Sequence, residues 1–432
     1  MHPPALSIDQ FELVTKRSVK TLAIVIGALL GINGANAGVN ELVLQLDTSM
    51  RQDSNPLRLG SDLNPQTTLG SPKRSDAIGA IEVRAGLIHT FDSPDTRLLL
   101  SGSLGQTDYR TLNQFDNTTE AYSGKFEWRL SELWRGKLSS SEEQSQYIPY
   151  DGSFAQKAAL NNSTHGAEVS LRITPDLELP VGIIRTRQTY DNVGLQSSNR
   201  TSNAIEAGLQ IRSATFSSAR ISVRTTKTNF DQRNIDQIAV LDTGFRDNEI
   251  YANGEWQYSI KTRFSGRLGA LQRSYQTLSA RNFSVLNTEL RADYDHSPLT
   301  RFSAEVWNRP FGSTDQNTLY SIVTGAGLSA LWRASPKTGI RVSIAEDIFR
   351  NKPSVLGAAL VNAEIQRTRI SARATHAFTR ELLFYVDGFT ERLNRGPTLS
   401  SISQTSLKLG FEYTFENLTG VAQRLSMGQQ KP

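Results

Sequence analysis

Basic and acidic side chains stand two residues apart at many points along this sequence: Glu82 with Arg84, Lys125 with Glu127 and Arg129, Glu289 with Arg291, and Arg367 with Arg369. The same alternating pattern carries Arg172, Arg212, Arg224, Glu255, Arg267, Glu305, Arg341 and Arg373. A two-residue step puts side chains on one face of an extended strand. There a planar guanidinium can hold carboxylates or sugar hydroxyls and stack on rings, or it can pair with a carboxylate on the next strand. One face of many strands could therefore line a path for a polar carbohydrate, acidic ones included. For any single residue, cross-strand pairing is the simpler expectation.

Catalytic chemistry has little support. The histidines are His2, His89, His165, His296 and His376, each standing alone. His296 is expected in a short turn, and His89 and His376 on an apolar register near a rim. His165 has Ser163 and Glu168 nearby, yet sequence proximity does not make a Ser-His-acid arrangement. No GxSxG, HExxH or phosphate-loop pattern is present. With no cysteine there is no thiolate metal site or thioether haem attachment. No enzyme, metal or cofactor is expected.

The elements that position these residues are short alternating segments from Leu42 to Phe415. In "AIEVRAGLIHTF", Ile81, Val83, Ala85, Leu87 and Phe91 interleave with Glu82, Arg84, Gly86 and Thr90. In "LKLGFEYTF", Leu407, Leu409, Phe411, Tyr413 and Phe415 interleave with Lys408, Gly410, Glu412 and Thr414. Strict alternation argues for half-buried strands, and no helical period competes. Short turns are expected at 92–97, 130–136, 174–180, 212–218, 258–264, 295–301, 333–339 and 377–383, spaced by about 40 residues. Pro94, Pro175, Pro298 and Pro336 sit in four of them, where a fixed φ and a missing N–H do no harm. The other connections, such as 50–75, 143–162, 228–247 and 346–361, are long and polar.

Two strands per short turn, with a first strand near Leu42–Asp47 and a last near Leu407–Phe415, give about 18 antiparallel strands with both ends on the short-turn side. This is the pattern of an all-β transmembrane barrel of the outer-membrane type, with short periplasmic turns and long extracellular loops. Closure removes the exposed edges, and a barrel of this size leaves an aqueous lumen that tolerates the charged face. Trp128, Trp134, Trp256 and Trp332 lie near the short turns, as an interfacial aromatic girdle requires.

Compartment follows from the N-terminus. Lys16, Arg17 and Lys20 precede the apolar run 21–32 and the small residues Ala35 and Ala37, so residues 1–37 read as a secretion signal. Residues 38–415 then form the barrel and 416–432 a periplasmic tail that hangs free or docks on something there. The chain has 38% hydrophobic residues, a mean hydropathy of −0.38 and a net charge of +5. No second apolar stretch is long enough for a membrane helix. Its charges are spread without a basic patch, so nucleic acid is not an expected partner.

The segment "LVLQLDTSMRQDSNPLRL" resembles the start of the mature region in EpsL-type outer-membrane proteins, which are associated with exosortase-linked exopolysaccharide biosynthesis. Asp53, Asn55 and Arg58 stand at the positions of a D-x-N-x-x-R-like segment. The order of strand, Ser-Pro or Thr-Pro turn and strand continues to "GFEYTF". The resemblance implies a barrel in the bacterial outer membrane that exports a polysaccharide, with the lipid bilayer, the sugar polymer or oligosaccharide, and possible periplasmic export proteins as partners. Two alternatives stand beside it. A general porin for small sugars or organic acids predicts a loop folded inward with opposed charge clusters, whereas a plugged surface-binding or structural barrel predicts negligible conductance. Within the landmark, Pro56 is expected to end the first strand, Asp53 and Asn55 to cap the turning backbone, and Arg58 to pair with Asp53 or face the pore mouth, with the local role favoured.

Overall fold

The computed structural model describes residues 39–93, 95–148, 157–213, 217–311, 318–353, 364–396 and 399–423. The expected signal segment, Pro94, part of the turn after β8, parts of four connections at the long-loop end and residues 424–432 of the expected tail lie outside these residues. Eighteen strands follow one another: β1 (Val39–Asp53), β2 (Asp76–Thr90), β3 (Arg97–Tyr109), β4 (Asn117–Arg129), β5 (Trp134–Gln146), β6 (Ala159–Thr174), β7 (Leu177–Tyr190), β8 (Arg200–Arg212), β9 (Ser218–Asn229), β10 (Gly244–Gln257), β11 (Thr262–Tyr275), β12 (Phe283–Ser297), β13 (Thr300–Phe311), β14 (Thr318–Ser335), β15 (Thr338–Pro353), β16 (Glu364–Ala377), β17 (Leu382–Asn394) and β18 (Ile402–Glu416). Each pairs antiparallel with its chain neighbour, and β1 pairs with β18, with Leu44 opposite Phe415. The sheet is a closed barrel with no free edge.

The alternation read from the sequence is the alternation of the wall. Leu44, Leu46, Ile183, Ile205, Val223, Leu409 and Phe411 stay exposed on the outside, where the only solvent that suits them is lipid. Trp128, Trp256, Tyr294 and Trp332 share that outward register near the short-turn end. An apolar exterior and a charged interior on a closed antiparallel barrel define an outer-membrane protein. The connections at 175–176, 298–299 and 336–337 shrink to two residues. His296 lies at the end of β12 rather than in the turn, in ring contact with Tyr294 and Phe302 on the outer face.

Part of the core sits inside the barrel, contributed by segments that fold in from both ends. The connection after β1 carries a short helix α1 (Pro65–Leu69). It brings Leu57, Leu59 and Leu69 onto the inward side chains of Ile78 and Tyr109, with Leu112 and Phe115 completing the cluster. At the other end, Val421 is fully buried against Val43, Ile88 and Leu99. The tail therefore does not hang free over residues 417–423. It turns back into the periplasmic mouth, held by Asn417, whose side chain accepts from the Leu42 N–H and donates to the Asn40 carbonyl.

Candidate functional site: the lumen and its outer mouth

Strand register places every charged candidate on the inner face. At the waist lies a cavity of about 1020 Å³ lined by Arg84, Lys125, Glu168, Glu206, Arg220, Arg224, Tyr251, Arg267 and Glu289 among others. Arg220 bridges Glu168 at 3.0 Å and Glu206 at 2.6 Å, and Arg224 closes on the other Glu206 oxygen at 2.5 Å. Arg267 pairs with Glu249 at 2.6 Å and stacks 3.5 Å over the Tyr251 ring. These are charge-assisted contacts of the strong kind. They make a ladder across β6, β8, β9, β10 and β11.

The remaining candidates are placed as follows. Arg172 and Arg212, with Arg135, surround the buried Glu178 near the periplasmic end at 3.8, 3.5 and 2.9 Å. Glu127 takes Arg97 and Lys125. Arg129 ends β4 and binds Asp95 in the adjoining short turn at 2.5 Å, so it belongs to the periplasmic rim rather than to the path. Arg84 is held by Glu82 on its own strand. Arg291 reaches Asp293 and Glu305, and Glu289 reaches Arg309. Arg369 approaches Glu391 at 3.7 Å. Arg373 approaches Asp387 and lies over Tyr385, whose hydroxyl donates to Asp47. Arg341 faces Arg373 across the ladder and has no ion pair among the described residues. Glu255 lines the waist cavity. The paired reading thus holds for most of the arginines. His165 and Ser163 point outward whereas Glu168 points inward, so they form no site; His165 contacts Ser140 Oγ instead.

The outer mouth is built by groups the sequence reading had not joined. Asp53 is fully buried, accepting from Gln404 Nε2 and from the Asn55 N–H. Asn55 clamps Leu59 through both its N–H and its carbonyl, and also donates to the Ser403 carbonyl. Arg58, at the left-handed φ of 54°, does not pair with Asp53. It crosses to the fully buried Glu391 at 2.8 Å, and Asp53 has Arg51 at 3.7 Å instead. Burial lowers the Arg58 guanidinium, and Glu391 opposes that loss. Segment 54–60 therefore lies inside the mouth rather than above it. The one signal in the sequence was the pair Leu57 and Leu59, apolar in a nominal loop.

A second inward connection carries helix α2 (Ile235–Leu241), closed at its start by a capping box of Asn234 and Gln237. Asp242, at φ 67°, accepts from the backbone N–H groups of Thr243, Thr277 and Leu278. Burial alone would raise its carboxyl, but those N–H donors outweigh it and hold the group below its ordinary value. Beside it Arg233 gives its bonds to the carbonyls of Ser197, Leu241 and Asp242. Burial pulls it down to about 10, with Asp242 opposing part of that loss. Arg233 and Arg200 both line a vestibule of about 430 Å³ with Thr186, Gln188, Thr226 and the Arg273–Asp247 pair. Arg200 has no hydrogen bond or ion pair among the described residues.

No family model matches the chain. No curated protein matches it either. Among solved structures it is similar to Pseudomonas aeruginosa OccK2 (OpdF), with 11% identity over 88% of this chain and 98% of that one and a TM-score of 0.49. It is likewise similar to Pseudomonas aeruginosa OpdQ, with 10% identity, the same coverages and a TM-score of 0.49. Acinetobacter baumannii OccAB3 is 10% identical over 87% of this chain and 99% of that one, with a TM-score of 0.48. The barrel assignment rests on this chain's own strand pairings.

Proposed function

We propose that the chain is an outer-membrane diffusion channel for small polar solutes, with anions favoured at its outer vestibule. One observation carries this reading: segment 54–60 is packed inside the outer mouth, with Leu57 and Leu59 fully buried and Arg58 paired across the lumen wall. A polymer leaving the cell would have to displace that segment, whereas a small solute can enter through the vestibule lined by Thr186, Arg200 and Arg233. Below the mouth the Arg220–Glu206–Arg224 ladder offers alternating charge to a hydrated solute in the aqueous lumen. In the vestibule, Arg200 and Arg233 form no ion pair among the described residues, which biases entry toward carboxylates and other oxyanions.

The test is swelling of liposomes that hold the purified protein, in isotonic solutions of sugars and sugar acids of rising size. Swelling that is rapid for monosaccharides, faster for gluconate than for glucose, and lost for long oligosaccharides supports the channel. Swelling that persists with long oligosaccharides favours polysaccharide export, the reading implied by the EpsL-type resemblance. No swelling with any solute favours a sealed structural barrel.

A further inference from the structure

The outer face of the barrel changes character between strands β6 and β10. There the exposed apolar side chains rise from the periplasmic rim only as far as Ile183, Ile205, Val223 and Ile250. Further toward the long loops, one same-face step beyond Ile183 and Ile205 and beyond Thr225 and Asn248 on β9 and β10, the register lines up a single row: Arg185 opposite Asn203, Asn203 opposite Lys227, and Lys227 opposite Arg246. All three bases are exposed and point away from the lumen. None has an ion pair or side-chain hydrogen bond among the described residues. Three inter-strand steps make the row about 14 Å long.

This arrangement is costly as it stands. Lys227 and Arg246 are directly opposite one another, and like charges at facing positions destabilise a sheet. Bases near the edge of the apolar band also lose hydration when a bilayer surrounds them. The nearest outward carboxylate on that side, Glu142, stands on β5 at the level of Ser163. On β15 and β16, by contrast, outward bases have acids among them: Arg350 lies 3.8 Å from Glu364. A row of cations at the outer lipid boundary with no protein counter-charge calls for an anion from the membrane itself.

We propose that the Arg185–Lys227–Arg246 row binds the phosphate groups of an outer-leaflet lipid. The lipid's acyl chains would pass Thr225 and Asn248 to lie against Ile183, Ile205, Val223 and Ile250 below. The side chains are long enough to extend from the strand toward the headgroup while their stems cover apolar surface, and one phosphate between Lys227 and Arg246 would relieve their repulsion. This site is independent of what the lumen conducts.

The experiment uses the full chain purified in a neutral detergent. Bisphosphorylated lipid A or its dephosphorylated form is added, and the lipid retained is read by native mass spectrometry. The wild-type protein should retain the phosphorylated form at least tenfold better, and R185Q/K227Q/R246Q should lose that preference. R392Q, an outward base elsewhere on the wall, should keep it. Heat-modifiable mobility on gels reports whether each variant is a closed barrel, and R185K/R246K, which keeps the charge, should retain the lipid even if the triple variant fails to fold. Equal retention of the two lipids by the wild type, or an unchanged preference in a folded triple variant, overturns the proposal. Solute conductance should be the same in the wild type and the triple variant.

Discussion

Two walls of one barrel are built to opposite plans. Along β18, β1 and β2 the outer apolar stripe is tall, running through Phe415 to Leu407 on one strand and Leu44 to Met50 on the next. The inner surface there is covered, by Leu57 and Leu59 at the top and Val421 at the bottom. Along β6 to β10 the outer stripe is short and topped with bases, and the inner surface is open to the waist cavity and carries the Arg220–Glu206–Arg224 ladder. The first wall resembles a protein core at its two ends, where apolar side chains pack on both faces, and keeps charges such as Glu82 and Arg84 between them. The second has charge on both faces and is held by ion pairs inside. A membrane barrel need not be uniform around its girth: one sector can carry the packing that fixes loop and tail, leaving another free to meet solute and lipid.

The comparison is broken most directly at the covered wall. Leu57→Asp with Leu59→Asp puts two carboxylates into an apolar cluster, which segment 54–60 cannot accommodate. The segment should leave the mouth, and single-channel conductance in planar bilayers should rise several-fold. An unchanged conductance would mean that the segment does not limit the pore. The next largest effect is expected from Glu391→Gln, which leaves Arg58 buried without its carboxylate. The cost is about 2 kcal/mol, read as a lower thermal unfolding midpoint of the folded barrel, with a gain in open-state noise as Arg58 loses its anchor.

The open wall gives smaller, more specific effects. Arg200→Gln removes one of the two vestibule arginines that hold no ion pair among the described residues and should lower the anion-to-cation permeability ratio, measured from reversal potentials in a salt gradient, by a factor of a few. The same change should leave thermal stability nearly untouched, because Arg200 holds no partner among the described residues. The smallest effect concerns pH. The folded Asp242 carboxyl lies below its ordinary value of 3.8, so its contribution to the second inward loop is complete above that value. It is lost only as pH falls through the folded value. Protease nicking within 230–243 should therefore be flat from neutral pH down to about 4 and increase only below it, and Asp242→Asn should show the nicking already at neutral pH.

The barrel was legible because its code is local. Each strand announces itself by a step of two, and each short turn by its length, so strand number, direction and the facing of residues such as Arg224 or Glu289 follow without knowing any contact. The mouth was not legible for the opposite reason. Asn55 is fixed by Ser403, 348 residues away, and Arg58 by Glu391 on a strand at the far end of the chain. Polar capping residues such as Asp53 and Asn55 read the same in a solvated turn as in a buried one. Arg129 shows a finer limit: alternation gives the face of a residue but not its height, and its partner Asp95 lies in the turn. Val421 went unread because a single apolar residue after the last strand carries no period.

Asn417 joins the first strand to the segment after the last, through Leu42 and Asn40. The bonds run across the β1–β18 seam, where neighbours in space are not neighbours in the chain. They can form only after β1 and β18 have met, and they lie at the periplasmic end. The tail is therefore a latch on closure: a molecule whose seam has not zipped leaves Val421 and Asn417 displayed to the periplasm, and a closed one withdraws them from view.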